Sequence, residues 1–407
     1  MKILTISSLY PNNKDPKHGI FVETRLRHLR KHYPDVSAVV IAPVPWFPFA
    51  AKGFGEYSKF AGVVDVETRD GVQVYHPKYL VIPKLGMHIT PWFMARSIRQ
   101  CIKQLQADGH SFDLIDGHYF YPDGVAIAKV ATELAIPFTC TARGTDINLI
   151  PEYPVARRRI ADVFSKAAHL MAVCKALAEE MIALGAPKAK VTVLRNGVDL
   201  ELFKASDDAT KQQLRNELAF SSTGPLLMSV GGLIERKGHY LVIAALAELP
   251  ETQLVIAGNG PDLASLQKQA VKLGVADRVH FVGALSQPQL SLYYQAADAL
   301  VLASSREGWA NVLLEAMASG TPVVATNIWG TPEVVSSPDA GVLVDRTVEA
   351  IAEGVRTLLS APPKRQATRQ YAEQFTWQQT STGQIEIFSK IKQSERISSL
   401  NTKRDAS

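Results

Sequence analysis

Two successive runs of short apolar segments, each alternating with amphipathic ones, constrain this chain more than any other feature of its sequence. In the first run the strand-like segments are Lys2–Ser7, Ser37–Ala42, Val72–His76, Leu114–Gly117, Phe138–Ala142, His169–Val173 and Val191–Arg195. Between them lie helical patterns such as Ile20–His32. There Val22, Leu26 and Leu29 recur at helical spacing, and Arg25, Arg27, Arg30 and Lys31 are expected on the other face. Strand–helix alternation of this kind builds a parallel sheet covered by helices on both faces. After the polar stretch 204–224 a second run begins: Leu226–Val230, Gln253–Ala257, Val279–Val282, Ala299–Ala303 and Pro322–Ala325. The expected architecture is α/β, with two Rossmann-like domains facing across a cleft. The boundaries read as 1–200, 201–375, a helix over 376–393 that returns to the N-terminal domain, and a polar tail over 394–407. A ligand is expected in the cleft, outside the carboxyl ends of the strands.

Composition narrows the class. Apolar residues make up 46% of the chain and charged ones 20%, a globular mixture that excludes disorder and fibres. Cys101, Cys140 and Cys174 are far apart and show no C-x-x-C spacing, which fits a reducing cytosol better than a disulfide framework or a zinc site. The start MKILTISSLYP reads as a buried first strand, not a signal peptide. No apolar stretch reaches membrane-spanning length, so a cytoplasmic location is expected, at most peripheral on the inner face of the cell membrane. The net charge of +5 is uneven. Residues 1–200 carry 25 Lys and Arg against 18 Asp and Glu, and the remainder 19 against 21. That excess reads either as a solvated basic face or as attraction to an anionic partner, such as a membrane surface or a phosphorylated acceptor. Val44–Gly62 gathers Trp46, Phe47, Phe49, Phe54, Tyr57 and Phe60 among Gly, Pro and Lys; Trp92 and Phe93 extend the same patch. It reads as a loop folded onto the domain or as a surface for an apolar acceptor or membrane interface. No nucleic acid is expected as a partner.

The densest chemistry lies in Glu307-Gly-Trp-Ala-Asn-Val-Leu-Leu-Glu315, after the apolar strand Ala299–Ala303. A strand, a short loop and a helix starting near Val312 place Glu307 and Gly308 at a helix N-terminus. Its free N–H groups and partial positive charge suit a diphosphate. Two carboxylates eight residues apart are separated by up to ~12 Å if the residues between are all helical. That is long for the ~5–9.5 Å pair of a glycosidase, and it suits gripping two ends of one extended ligand. Glu307 as a cap and Glu315 as a solvated helix residue is the competing reading. Upstream, Ser229-Val-Gly-Gly-Leu-Ile-Glu-Arg236-Lys237-Gly238-His239 again runs strand to loop to helix, and Arg236 and Lys237 suit a diphosphate. Gly258-Asn-Gly260 forms a second glycine loop before a helix.

In order, VGGLIERKG, IAGNGP, RVHFVGAL and SSREGWANVLLEAMASGTPVVAT resemble glycosyltransferase family 4, of GT-B architecture. The chain is similar to the branch that includes bacterial polysaccharide, teichuronic-acid and lipopolysaccharide transferases. The N-terminal half adds His18-Gly19-Ile20-Phe21-Val22, Gly117-His118-Tyr119, Thr141-Ala-Arg143-Gly144-Thr-Asp146 and Arg195-Asn196-Gly197-Val198-Asp199. The resemblance implies a retaining enzyme that moves a hexose-type sugar from a UDP- or GDP-linked donor to a glycan or lipid-linked acceptor in cell-surface polysaccharide synthesis. It assigns the ribose to Glu315, the sugar hydroxyls to Glu307, and the phosphates to Lys237. Backbone from Gly308, Trp309, Ala310 and Asn311 would lie near sugar and diphosphate, and the edge at Val282 near the base. Gly260 belongs to the donor loops. Gly19 would allow close approach to the diphosphate and His118 would point toward the reacting sugar, while Arg143 and Asp146 would shape the acceptor side. For Asp146 a helix N-cap is the rival.

One position departs from the pattern. Family members commonly have Arg before the Leu of Gly-Arg-Leu, and this chain has Gly232, so Arg236 is the candidate replacement. No D-x-D is present, and neither a metal nor another cofactor is expected. A GT-B nucleotide-sugar epimerase and a non-catalytic nucleotide-sugar-binding protein are the two other classes the motifs leave open.

Overall fold

The strand-like segments of both runs form strands in the computed structural model, which describes residues 1–46, 60–81, 86–220 and 223–405. The chain divides into two units: Met1–Asn196 together with Trp377–Ser407, and Gly197–Thr376.

The first unit contains β1 (Lys2–Ile6), β2 (Ser37–Ile41), β3 (Val44–Trp46), β4 (Val66–Arg69), β5 (Val72–Tyr75), β6 (Lys78–Leu80), β7 (Leu114–His118), β8 (Phe138–Ala142), β9 (His169–Ala172) and β10 (Val191–Val193). Eight of these make one sheet in the order β10-β9-β8-β7-β1-β2-β5-β4. All neighbours are parallel except β4, which folds back on β5 through Asp70-Gly71, two residues at positive φ. β3 and β6 pair separately. The second unit contains β11 (Leu226–Val230), β12 (Gln253–Ala257), β13 (Val279–Gly283), β14 (Ala299–Leu302), β15 (Val323–Thr326) and β16 (Gly341–Val344). Its fully parallel sheet has the order β13-β12-β11-β14-β15-β16. Read from its first strand, this is the doubly wound 3-2-1-4-5-6 order, whose switch point falls between β11 and β14. In the first unit the equivalent reversal falls between β1 and β7. Each switch point leaves a crevice at the carboxyl ends of its two strands. That crevice is where both sites below are built.

Central strands buried on both faces explain the near-continuous apolar runs, such as β11, β14 and β15. Helices pack on these through apolar stripes: Leu233, Val242, Ile243, Leu246, Ile256, Val301, Val324 and Val355 belong to one core cluster. The C-terminal helix, Trp377–Asp405, belongs to the first unit. Its Ile387, Phe388 and Ile391 bury against Ile3, Leu29, Leu114 and Met171. Lys392 donates to Asp113 at 2.7 Å. The stretch expected as a polar tail is helical through Asp405; it contains no Gly or Pro to end the helix.

Other expectations change here. Arg25 does not share the outer face with Arg27 and Arg30: it is 1% exposed, and it donates to the Leu194 carbonyl at 3.1 Å. Buried Asp116 supplies the opposite charge that makes this placement tolerable. Trp92 lies in the helix Gly86–Ala107, well exposed, with the Lys129 ammonium 4.6 Å from its ring centroid. Phe47, Phe49, Phe54 and Tyr57 of the aromatic segment lie outside the described residues. In Asp65-Val66-Glu67, the stretch nearest to a D-x-D pattern, Glu67 accepts from His76 at 2.9 Å and Asp65 pairs with Lys78 at 2.8 Å, so both carboxylates serve local pairs.

Phe388 is fully buried between the C-terminal helix and the first sheet. Phe388→Ala is expected to lower stability by about 3–5 kcal/mol, measured as a shift in denaturant midpoint at constant slope.

Candidate functional site

At the switch point of the second sheet, the turn after β11 packs backbone-to-backbone on the turn after β12. Gly231 N donates to Ala257 O at 3.0 Å and Leu233 N to Asn259 O at 2.9 Å. A Cβ on Gly258 would lie 1.8 Å from Gly231 O, and one on Gly260 2.2 Å from Leu233 O, so only glycine permits this approach. Gly231 serves a second purpose. The Lys237 stem lies across it, with Cδ 3.2 Å from where a Cβ would stand. Laid there, Lys237 reaches Glu307 of the loop after β14, with Nζ donating to Oε1 at 2.6 Å. Ser304 Oγ donates to the same oxygen at 2.6 Å, and Arg236 Nη1 stands 3.7 Å away while donating to Arg306 O at 2.7 Å. Burial raises the Glu307 carboxyl, but Lys237 and Arg236 outweigh it and hold it below the ordinary value. Glu307 is an anion here.

The helix that follows, Asn311–Ala318, begins at Ala310 without a capping side chain. In its first turn the Asn311 and Leu313 amides donate to Trp309 O and Ala310 O at 3.1 and 3.0 Å, and no side chain screens the helix dipole at this end. Gly308 and Ala310 are buried in that loop. The Trp309 ring turns inward onto Phe375, centroids 5.9 Å apart, so this residue offers backbone and not an aromatic face. Half-buried Asn311 opens the helix. One turn on, Glu315 Oε2 accepts from the buried Tyr294 hydroxyl at 3.1 Å; among the described residues its other oxygen has no protein donor. Burial pushes the Glu315 carboxyl up to about 7, and Tyr294 only partly offsets this. The two glutamates are thus electrostatically opposite. Val282 lies in the edge strand β13, packed toward Phe220 and Leu226, with its backbone on the sheet's open side. Gly232 is exposed, and a Cβ there would meet only Asn259 O, at 3.9 Å. Nothing steric excludes a side chain at the departing position, and the nearby cations are those of Arg236 and Lys237.

In the first unit, Gly19 opens the helix Ile20–His32 at φ 61°, and a Cβ would stand 2.2 Å from the Leu9 carbonyl. The loop it closes is anchored at Ser8: the amide and hydroxyl donate to Asp123, and the carbonyl accepts from His18 Nε2 at 3.0 Å. His118 ends β7 with 1% exposure. Its Nδ1 contacts Arg143 Nη2 at 2.8 Å and its Nε2 contacts Asp116 Oδ2 at 3.3 Å. Burial drives the ring down to about 4, against the pull of Asp116, so His118 is neutral near pH 7. Both ring nitrogens are spent on protein partners, which leaves the imidazole no lone pair for proton transfer in this arrangement. Arg143 Nη1 also donates to Asn196 at 3.3 Å, and its guanidinium lies 5.2 Å from the Phe21 ring centre. Asp146 is not a helix cap. It is the second residue of the turn Thr145–Asn148 and accepts from the amides of Phe120, Arg143 and Gly144 at 2.8–3.0 Å. Its oxygens are used up in holding the loop that carries Arg143.

Sequence reasoning missed Asp116, Asp123, Ser304 and Tyr294. An acidic residue inside the apolar run of β7 was a legible signal for Asp116. Tyr294, 21 residues before Glu315 on another helix, had none.

Residues 22–202 match Glycosyltransferase Family 4, and residues 210–375 match Glycosyl transferases group 1. A D-inositol 3-phosphate glycosyltransferase of Jonesia denitrificans is 30% identical over 308 residues, covering 69% of this chain and 72% of that protein. The chain is a family 4 glycosyltransferase. This glycosyltransferase is also 29% identical over 359 residues to the Bacillus subtilis protein named as teichuronic acid biosynthesis glycosyltransferase TuaC, covering 87% of this chain and 88% of that one. In fold it is similar to sucrose-phosphate synthase of Thermosynechococcus elongatus, with TM-score 0.76 at 19% identity, covering 96% and 99% of the two chains. HepE of Anabaena in complex with UDP and glucose gives TM-score 0.72 at 22% identity, covering 96% and 100%. The architecture is GT-B, with a parallel-sheet Rossmann-like domain in each unit.

The raised Glu315 carboxyl makes a signed prediction. Between about pH 4.5 and 7 the folded chain keeps a proton on Glu315 that the unfolded chain has released. Stability therefore falls as pH rises through that window. Urea midpoints at pH 5 and pH 8 should differ less in Glu315→Gln than in the wild type.

Proposed function

We propose that this glycosyltransferase moves a hexose-type sugar, with retained configuration and without a metal ion, from a nucleotide-diphosphate sugar bound by the Gly197–Thr376 unit. The acceptor is a glycan or lipid-linked saccharide of cell-surface polysaccharide synthesis. The observation that carries the reading is the Lys237–Glu307 pair beside an uncapped helix N-terminus at the sheet's switch point. Such a place offers cations and amides to a diphosphate and an ionised carboxylate to sugar hydroxyls, with the unspent Glu315 oxygen one helical turn away for a ribose. UDP in HepE and the TuaC likeness favour the donor and acceptor classes.

In this mechanism the bond from the anomeric carbon to the diphosphate breaks as the acceptor oxygen arrives on the same face. The acceptor proton passes to the departing phosphate oxygen. Lys237, Arg236 and the helix amides stabilise the charge that develops there. Glu307 Oε1 is committed to Lys237 and Ser304, which disfavours it as a covalent nucleophile. His118 acts through the shape it gives the first unit's crevice, and Arg143 is the cation that this shape presents to the acceptor side.

A panel of UDP-, GDP- and ADP-sugars read by thermal shift and product analysis tests the donor. One donor should stabilise the protein and be turned over fully in excess EDTA. Collapse in EDTA with rescue by Mg²⁺ or Mn²⁺ removes the metal-free mechanism. Glu307→Ala should abolish transfer while sparing nucleotide binding; unchanged turnover would sink its role, and an epimerised donor as sole product would replace transfer altogether.

A membrane-surface acceptor is supported by the first unit's exposed chemistry. Met87, Trp92, Tyr153 and Val155 are solvent-exposed large apolar residues, and Arg96, Arg157 and Arg158 are exposed beside them in the same two helices. Arg159 ties those helices by donating to His88 O at 2.6 Å. Among the described residues no helix is long and apolar enough to cross a membrane, so contact would be peripheral. Wild-type protein should sediment with anionic vesicles, and Arg96→Glu/Arg157→Glu/Arg158→Glu should not. Wild type left in the supernatant would remove the membrane from the reading.

A further inference from the structure

Beneath the helix Ile20–His32, one face of the first sheet carries polar side chains where apolar ones are the rule. Register sets Thr5 beside Asp116, Asp116 beside Thr139, and His118 beside Thr141. Residues two apart on a strand share a face, so these five form one patch, and Arg25 reaches it from the helix above. All six are at most 2% exposed. An apolar patch would pack better, which makes the polar one a candidate for a task.

We propose that Asp116 is a positioning residue of this glycosyltransferase: its carboxylate holds the His118 imidazole in the Nε2–H form, so that Nδ1 is the acceptor that fixes the Arg143 guanidinium. The assignment follows from donors and acceptors. Arg143 has only donors, and its Nη2 stands 2.8 Å from Nδ1, so Nδ1 must be the unprotonated nitrogen. Nε2 then carries the hydrogen and faces Asp116 Oδ2 at 3.3 Å. The other carboxylate oxygen accepts from Thr139 Oγ1 at 3.1 Å, which stops the carboxylate from turning away. Against burial, His118, Arg25 and Arg143 keep Asp116 ionised and therefore acceptor-only. The opposite tautomer would set two N–H groups against each other at Arg143 and leave a bare nitrogen facing a carboxylate. The chain of contacts runs from Thr139 through Asp116, His118 and Arg143 to Asn196. Within it the half-buried Arg143 still holds an unpartnered Nε–H among the described residues.

A rival explanation is that Asp116 merely compensates the buried Arg25. The two are separable. Asp116→Asn removes the charge but keeps a carbonyl oxygen for Nε2–H. Asp116→Leu/Arg25→Met removes the acceptor and the buried cation together, so it protects folding while abolishing the brace. Three readouts apply: ¹⁵N ring NMR of His118, assigned by His118→Gln among the ten histidines; thermal midpoint; and kcat and KM for the donor found by the panel. The turnover arm rests on the proposed function, and the NMR arm does not. Wild type should show a neutral Nε2–H ring at pH 7. Asp116→Asn should keep that signature and most of its turnover. The double variant should melt near wild type, show mixed tautomers, and lose about 10- to 100-fold in kcat with KM for the donor little changed. The inference is overturned if the wild-type ring is Nδ1–H or imidazolium, if the double variant keeps the pure Nε2–H signature or wild-type kcat, or if Asp116→Asn loses as much turnover as the double variant. If no nucleotide sugar is turned over by wild type, the proposed function fails and the NMR outcome alone decides the role of Asp116.

Discussion

Close contact between peptide backbones at the carboxyl edge of the second sheet is the constraint on which its site depends. Gly258 and Gly231 let the turns after β12 and β11 touch, and the bare Gly231 surface carries the Lys237 stem toward Glu307. A methyl group at either glycine would push the lysine off its track. The ammonium would then leave a partly buried carboxylate without its main partner, which costs several kcal/mol in well-buried pairs. Steric freedom at two glycines is thus converted into the ionisation state of a glutamate 49 residues or more along the chain. That conversion needs no side-chain contact between the glycines and the glutamate.

The two units reuse one strand order with different electrostatic content. In the second, the switch-point crevice holds half-buried cations, one ionised carboxylate and one carboxyl poised near neutrality. In the first, the charges are driven inward. Asp116, Arg25, Asp123 and Asp146 are all buried, and each finds its partners in backbone groups or in neighbouring polar side chains. Burial pushes Asp123 up to about 7 even while it holds Ser8. A diphosphate-sized anion suits the first arrangement of charges; a crevice whose shape is maintained by a fixed internal network suits the second.

Much of the fold was legible because parallel strands buried on both faces write continuous apolar runs into the sequence. Those that escaped, β3, β4, β6 and β16, are short or lie at sheet edges, where one face or one flank is free and the pattern weakens. Arg25 was misread for a related reason. Helical periodicity assigns a charge to the solvent side by default, and nothing local reports that an aspartate on β7, 91 positions later, will sit beneath it. The N-cap reading of Asp146 failed similarly: residue type and spacing were right for a cap, but the amides that need an acceptor belong to Phe120, Arg143 and Gly144.

Motif and spacing by themselves determined the family and the pair of Rossmann-like domains, and singled out Glu307, Glu315 and Lys237 as candidates, because those features are written in contiguous stretches. Tertiary structure decided what each of them is. Glu307 and Glu315 look alike in sequence; one is ionised because Lys237 is laid against it, and the other is held near neutrality because, among the described residues, Tyr294 is its one donor. His118 reads from sequence as a side chain pointing toward the reacting sugar and is the middle of a braced network in space. Protonation and hydrogen-bond state depend on neighbours within a few ångströms, and those neighbours come from elements that only the folded sheets bring together.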